Sequence, residues 1–352
     1  MVLVGGFLGA GKTTLLLAAA RELDRRGLRS AMILNDQGEA LVDTLHAGLH
    51  GMRRGEVTGG CFCCRFSDLV EVIEELRQYA PDVIFAEPVG SCTDISATTL
   101  HPLLALDEQI RVAPYTVLVD PARALDLARD GADHNLAFLF RKQIEEADLV
   151  CFTKSDLGIE PPVMPVRTAR QISANSGQGV APWLDEVLSG ELSRGSTILE
   201  IDYEQYARAE AALAWLNAEA LIRCSIPLSP AMLLGPYFER LDGDLTAAGI
   251  RIVHLKAILR AETGFVKAAI CANGESPIVE GNLNASPASQ HELLINLRAA
   301  GPAMTVRVLV ERNLIAMSGE VVMSRIASFH PAPPRPERRA SARQATGASR
   351  TE

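Results

Sequence analysis

Along the first half of the chain, short apolar runs alternate with longer amphipathic stretches. Met1–Val4 (MVLV) leads into a glycine loop. Lys12–Gly27 (KTTLLLAAARELDRRG) then carries apolar residues at helical spacing up to a glycine stop. Ser30–Asp36 (SAMILND), Asp82–Glu87 (DVIFAE), Tyr115–Asp120 (YTVLVD) and Asp148–Asp156 (DLVCFTKSD) are apolar enough to be buried strands, and each ends in polar residues. Ser67–Ala80 (SDLVEVIEELRQYA) has the period of a helix with an acidic first turn. Strands alternating with helices predict an α/β domain with a mainly parallel sheet covered on both faces. Ligands of such sheets gather at the carboxyl ends of the strands. Gly6, Asn35, Glu87, Asp120 and Lys154 all fall there. The first strand is short, so a start codon further upstream is expected.

Around Ser189–Tyr206 the order changes, which suggests domains at 1–190 and 207–330. Ala214–Ile226 reads as a strand and Ser229–Gly249 as a helix. Arg251–Ala261 and Gly264–Ala272 read as a hairpin pair, Ser286–Gly301 as a helix and Ala303–Glu311 as a last strand. This β-α-β-β-α-β pattern predicts a smaller, ferredoxin-like α+β domain.

Composition narrows the function. The 352 residues are 48% hydrophobic and 22% charged, as in an ordinary soluble globular protein, and the net charge of −9 argues against nucleic acid as a partner. Neither a signal segment nor an apolar run of membrane-spanning length stands in the sequence, so a cytoplasmic, reducing setting is expected and a membrane is not. The tail 331–352 holds five Arg and two Glu but no large apolar residue, and is expected to be disordered.

Gly6-x4-Gly11-Lys12-Thr13 matches the phosphate-binding loop G-x-x-x-x-G-K-[ST]. Gly6, Gly9, Ala10, Gly11, Lys12, Thr13 and Thr14 would cradle phosphates at a helix N-terminus. Lys12 would lie on the β- and γ-phosphates and the Thr13 hydroxyl on Mg²⁺. Thr153-Lys154-Ser155-Asp156 resembles the guanine-reading N-K-x-D element: a carboxylate at Asp156 would accept from guanine N1–H and the 2-amino group, donors that adenine lacks there. Ser173-Ala174 would present a backbone N–H to guanine O6, which favours GTP over ATP. Glu87 stands where a carboxylate can hold the Mg²⁺ water shell or orient the attacking water. Asp36 and Asp43 fall where nucleotide-sensing switches occur, with a lower claim to a role.

Cys61-Phe62-Cys63-Cys64 follows a Gly59-Gly60 pair that eases a turn, so three thiolates can converge on a transition metal and leave its fourth position exchangeable. Thiolates favour Zn²⁺ and Cu(I), and the spacing alone does not choose between metals. A redox pair and plain core cysteines remain as alternatives. Cys92, Cys151, Cys224 and Cys271 read mostly as small core residues.

In order along the chain, GGFLGAGKTTLL, ND-x-GE, GGCFCCRFSDL, AEPVG, QIEEADLVCFTKSDL and SANSGQGV resemble the CobW-like P-loop metallochaperone GTPases, over roughly residues 1–190. The resemblance implies hydrolysis of GTP to GDP and phosphate with Lys12 and Glu87 as catalytic residues. It also implies Mg²⁺ and a transition metal on Cys61, Cys63 and Cys64, zinc ahead of cobalt. That metal would be delivered, gated by nucleotide, to a client metalloenzyme or corrinoid protein, and a homodimer is an open alternative. A second reading is a GTP-dependent assembly or reactivation factor that carries no metal itself. A P-loop kinase lacks an acceptor motif. Thr153 replaces the usual Asn, AEPVG and NDQGE depart from the family's runs, and the His-rich loop is absent. These departures imply a divergent branch with its own client.

Overall fold

The computed structural model describes residues 1–38, 42–49, 51–106 and 110–341. They form two compact units: one of residues 1–37, 43–209 and 333 onward, the other of 38–42 and 210–332. Residues 191–206, left between the two domains by the sequence, count with the first unit, as do 207–209, which the sequence reading gave to the second domain.

In the first unit, β1 (Val2–Gly6) leads into α1 (Lys12–Arg25). β2 (Ser30–Asn35), α2 (Val42–Leu49), β3 (Arg53–Val57), α3 (Phe66–Arg77) and β4 (Val83–Glu87) follow. A π-helical turn, Ser96–Leu100, precedes α4 (His101–Leu106). β5 (Thr116–Val119), α5 (Pro121–Ala128), α6 (His134–Glu145), β6 (Leu149–Phe152), β7 (Ala169–Gln171), α7 (Val180–Ser189) and α8 (Tyr203–Ala211) complete it. The strands form one parallel sheet in the order β3-β2-β4-β1-β5-β6-β7. β1 and β4 are central and buried throughout apart from Ile84, which is why they are continuous apolar runs. α1 turns Leu15, Leu16, Ala19, Ala20 and Leu23 into the core, where Trp183, Leu184 and Val187 of α7 join them. The edge strands β3 and β7, mostly polar, had no signal in the sequence.

In the second unit, the order is β8 (Leu213–Leu228), α9 (Pro230–Ala247), β9 (Arg251–Ala261), β10 (Gly264–Ile270), β11 (Ile278–Gly281), β12 (Ala288–Ala300), α10 (Ala303–Ile315) and β13 (Glu320–Phe329). The sheet is antiparallel, in the order β11-β10-β9-β12-β8-β13. Without the β10-β11 hairpin, this is the ferredoxin-like order, with both helices packed into one apolar cluster with the sheet.

Two sequence expectations are corrected here. Residues 286–301 contain a strand, not a helix, and 303–311 lie in a helix, not a strand. Leu293, Ile295, Leu297 and Ala299 are buried at strand period, but Leu294 is apolar too and hides the alternation. Val306, Val308 and Val310 imitate a strand. The buried set is in fact Val306, Leu309, Val310, Asn313 and Leu314, which is helical spacing.

The tail is a third correction. Residues 333–341, expected to be disordered, lie on the first unit. Glu337 N–H donates to Cys63 O at 2.9 Å, and Ala340 N–H to Ala97 O at 2.8 Å. Composition misleads because this segment is held by charge and backbone polar groups instead of apolar burial. Residues 342–352 lie outside the described residues.

Candidate functional site

The loop between β1 and α1 is built by its glycines. Gly6, Gly9 and Gly11 have φ of 134°, 83° and 88°, left-handed values that suit a residue without Cβ. A Cβ on Gly6, the last residue of β1, would lie 2.5 Å from Leu118 O of the neighbouring strand β5, so the loop leaves the sheet where only a glycine fits. Ala10 is buried and its N–H donates to Phe7 O at 3.0 Å, while Thr14 is half-buried at the helix start. The Lys12 ammonium donates to Gly6 O at 3.0 Å and lies 3.8 Å from Glu87 Oε1. The Thr13 hydroxyl donates to Glu87 Oε2 at 2.8 Å. Three expected site residues therefore meet in one buried cluster at the ends of β1 and β4.

The loops after β6 and β7 meet because those strands are neighbours. Lys154 has a left-handed φ of 57°, and its ammonium lies 2.7 Å from Asp120 Oδ2. Asp120 also accepts from Ala122 N–H at 3.0 Å and so caps α5. Ser155 N–H donates to Ile172 O at 3.3 Å. The Asp156 carboxylate is exposed and held below the usual carboxylate range, first by a hydrogen bond from buried Ser173, with Asn175 and Lys154 adding. Ala174, half-buried, follows Ser173 in this loop. Thr153 is buried, its hydroxyl 3.4 Å from Val119 O.

The cysteine loop hangs on Asn35. The Asn35 amide donates to Val57 O at 2.8 Å and to Gly60 O at 2.7 Å, and its Oδ1 accepts from Phe62 N–H at 2.9 Å. The end of β2 thus clamps the turn that carries the thiols. Gly59 has a φ of 73°, and Cys64 N–H closes the turn on Cys61 O at 3.0 Å. Cys61 Sγ lies 2.8 Å from Cys63 Sγ and 3.3 Å from Cys64 Sγ, and Cys63 Sγ lies 3.7 Å from Cys64 Sγ. Cys61 and Cys63 are buried and Cys64 half-buried. In this cluster, the bond with Cys61 does most to push the Cys63 thiol well up and the Cys64 thiol up to about 11. The Cys61 thiol is also raised: its bonds to Cys63 and Cys64 favour the thiolate, but the contact with Cys92 and burial outweigh them. Among the described residues, this is the one group of three or more His, Cys, Asp or Glu ligand atoms close enough to hold a metal ion. Of the two switch candidates, Asp36 N–H donates to Val57 O at 3.2 Å, and Asp43 lies in the first turn of α2.

Several residues had no signal in the sequence. Cys92 touches Cys61 and Cys63. Asp94 is 1% exposed at a left-handed φ of 65°. It accepts from the Tyr203 hydroxyl at 2.6 Å and from Arg339 Nε at 2.7 Å. Arg339 also donates to Leu199 O at 2.8 Å. Glu337 accepts from Ser67 N–H at 3.0 Å and its hydroxyl at 2.7 Å, and Arg335 N–H donates to Cys64 Sγ at 3.2 Å. The tail is therefore a strap over the cysteine loop. Its arginines are 140 to 271 positions from the groups they donate to, so no local pattern could announce them.

No helix among the described residues is long and apolar enough to cross a membrane. Three relatives are similar to part of the chain. Zinc chaperone YeiR of Escherichia coli (strain K12) is 30% identical over 156 residues, 44% of this chain and 46% of YeiR. Zinc chaperone YjiA of the same strain is 30% identical over 176 residues, 48% of this chain and 54% of YjiA. Zinc-regulated GTPase metalloprotein activator 1 of Schizosaccharomyces pombe is 27% identical over 167 residues, 45% of this chain and 39% of that protein. The chain spans about half the length of the curated relatives it matches. The profile of the CobW/HypB/UreG nucleotide-binding domain matches residues 1–175, which include the phosphate loop, the cysteine turn, Glu87, Asp156 and Ser173. The N-terminal half of this chain therefore belongs to the CobW/HypB/UreG family of nucleotide-binding domains.

Proposed function

We propose that this chain is a GTP-hydrolysing metallochaperone that carries zinc on Cys61, Cys63 and Cys64 and hands it to a client metalloprotein in the cytoplasm. The observation that carries the reading is the convergence of three thiols on a turn clamped by Asn35, at the end of a strand of the same sheet that carries the phosphate loop. Family membership and the names of the relatives support it.

The residues of the site fit the chemistry. Lys12, resting on Gly6 O, can turn its ammonium to the β- and γ-phosphates. The Thr13 hydroxyl and the Glu87 carboxylate are hard oxygen donors of the kind Mg²⁺ takes, and Mg²⁺ there supplies neutralisation of phosphate charge. Once Thr13 turns to the nucleotide side, Glu87 is left to orient the attacking water. Asp156, ionised and exposed, suits the two guanine donors. The sulfur donor set suits zinc over hard cations. Asn35 joins the β2 end to the cysteine turn, and β2 belongs to the sheet that carries the phosphate loop, which supports coupling between the phosphates and the thiols.

The test is zinc affinity by chelator competition with a non-hydrolysable GTP analogue and with GDP. Coupling of about 1–3 kcal/mol, or roughly 5- to 150-fold, is expected, with GTP affinity shifted by the same factor when zinc is bound. Equal zinc affinities in both states rule out gating. Zinc binding that survives serine at all three cysteines rules out the site.

A further inference from the structure

Cys92 lies beyond the C-terminal end of β4, 28 positions from the nearest cysteine of the Cys61–Cys64 turn. It is 2% exposed, and its thiol is in hydrogen-bonding contact with both Cys61 and Cys63. Its backbone is fixed. Cys92 N–H donates to Val89 O at 3.0 Å, and the buried Gln143 amide donates to Gly90 O at 3.0 Å and Cys92 O at 2.8 Å. Cys92 thus reaches the thiol cluster from a second loop, on the side of Cys61 and Cys63, and zinc takes four thiolates at about 2.3 Å each.

Resting on the metal reading above, we propose that Cys92 is the fourth ligand of the metal site and closes it as a four-thiolate centre with Cys61, Cys63 and Cys64. The four positions are unequal. Cys61, Cys63 and Cys92 are buried, whereas Cys64 is half-buried beneath the tail strap. Cys64 is thus the position at which an incoming client ligand replaces a thiolate, while the other three hold the ion. Binding displaces one proton from each thiol to solvent, with no change in oxidation state. Cys92 also gives the metal a second handle on the nucleotide site. Its loop begins after Glu87, the last residue of β4, and contains Gly90, on which a Cβ would lie 3.0 Å from the Lys12 ammonium.

The experiment uses the full chain loaded with zinc alone, or with Co²⁺ alone, under anaerobic conditions. Zinc-edge X-ray absorption of the unmutated protein is expected to give four sulfur ligands. Cys92→Ser and Cys92→Ala are expected to give three sulfurs and one light atom, weaker zinc binding by at least about 10-fold, and sulfur-to-cobalt charge-transfer absorption lower by about a quarter. Three sulfurs in the unmutated protein, with an unchanged spectrum in Cys92→Ser, overturn the assignment of Cys92 and leave the metal reading standing. An unmutated protein that takes up neither ion overturns both. The unmutated spectrum decides the sulfur count even if a Cys92 variant fails to fold.

Discussion

Replacing Arg339 by Ala should release the tail strap from the cysteine loop. The Arg339 guanidinium lies 2.7 Å and 3.3 Å from the two oxygens of Asp94 and 2.8 Å from Leu199 O. Asp94 is 1% exposed, so it has little water to fall back on. A hydrogen bond to a charged group contributes about 1.5–3 kcal/mol. The Arg339 side chain is 36% exposed, and solvent screening argues for the lower half, about 2 kcal/mol. Ordering each strap residue costs about 1–2 kcal/mol, so a few polar contacts leave the strap a small margin. A loss of about 2 kcal/mol raises the open population roughly 30-fold. Hydrogen exchange of the Glu337 and Ala340 amides, bonded to Cys63 O and Ala97 O, should accelerate by that factor while core strands stay protected. Arg338→Ala is the control: its guanidinium sits 5.2 Å from the Phe66 ring centre, a contact of about 0.5–1 kcal/mol, and should change exchange by roughly 5-fold or less. Unchanged exchange in Arg339→Ala, or equal acceleration in both variants, refutes the reasoning.

Asp156→Asn places a donor where guanine also donates. It should weaken GTP by about 2 kcal/mol without affecting ATP, and equal affinity of the unmutated protein for GTP and ATP would disprove guanine reading. Lys12→Ala should abolish nucleotide binding, whereas Glu87→Gln should retain it and slow GTP turnover about 100-fold; a native rate in Glu87→Gln removes its catalytic role. Glu146 is fully buried and burial pushes its carboxyl well above the ordinary range. Because the folded value is the higher one, its contribution is intact below the unfolded carboxyl value of about 4.3 and is lost as pH rises through the folded value. Melting temperature should therefore fall less with rising pH in Glu146→Gln, and parallel melting curves against pH would count against this.

The order of strands and helices in the first half was legible because apolar runs buried on both faces and amphipathic helices have distinct periods. The phosphate-loop motif, the Thr153–Asp156 stretch and the cysteine turn were legible for a related reason: each is local, its residues within a few positions of one another. The backbone alone brings Gly6 to Lys12, Asp156 near Ser155, and Cys61 to Cys63 and Cys64. The α10 and β12 assignments failed locally, since three alternating valines imitate a strand and Leu294 masks one. Tertiary structure decided what no short window holds. It set Glu87 against Thr13, tied Asn35 to the cysteine turn, brought Cys92 to the thiols and laid the Arg339 strap on Asp94. These pairings join residues from 27 to 245 positions apart, and each depends on which strands of a parallel sheet become neighbours or where a late segment comes to rest. Sequence carries the chemistry of such residues, but only the packed sheet sets the distance between them.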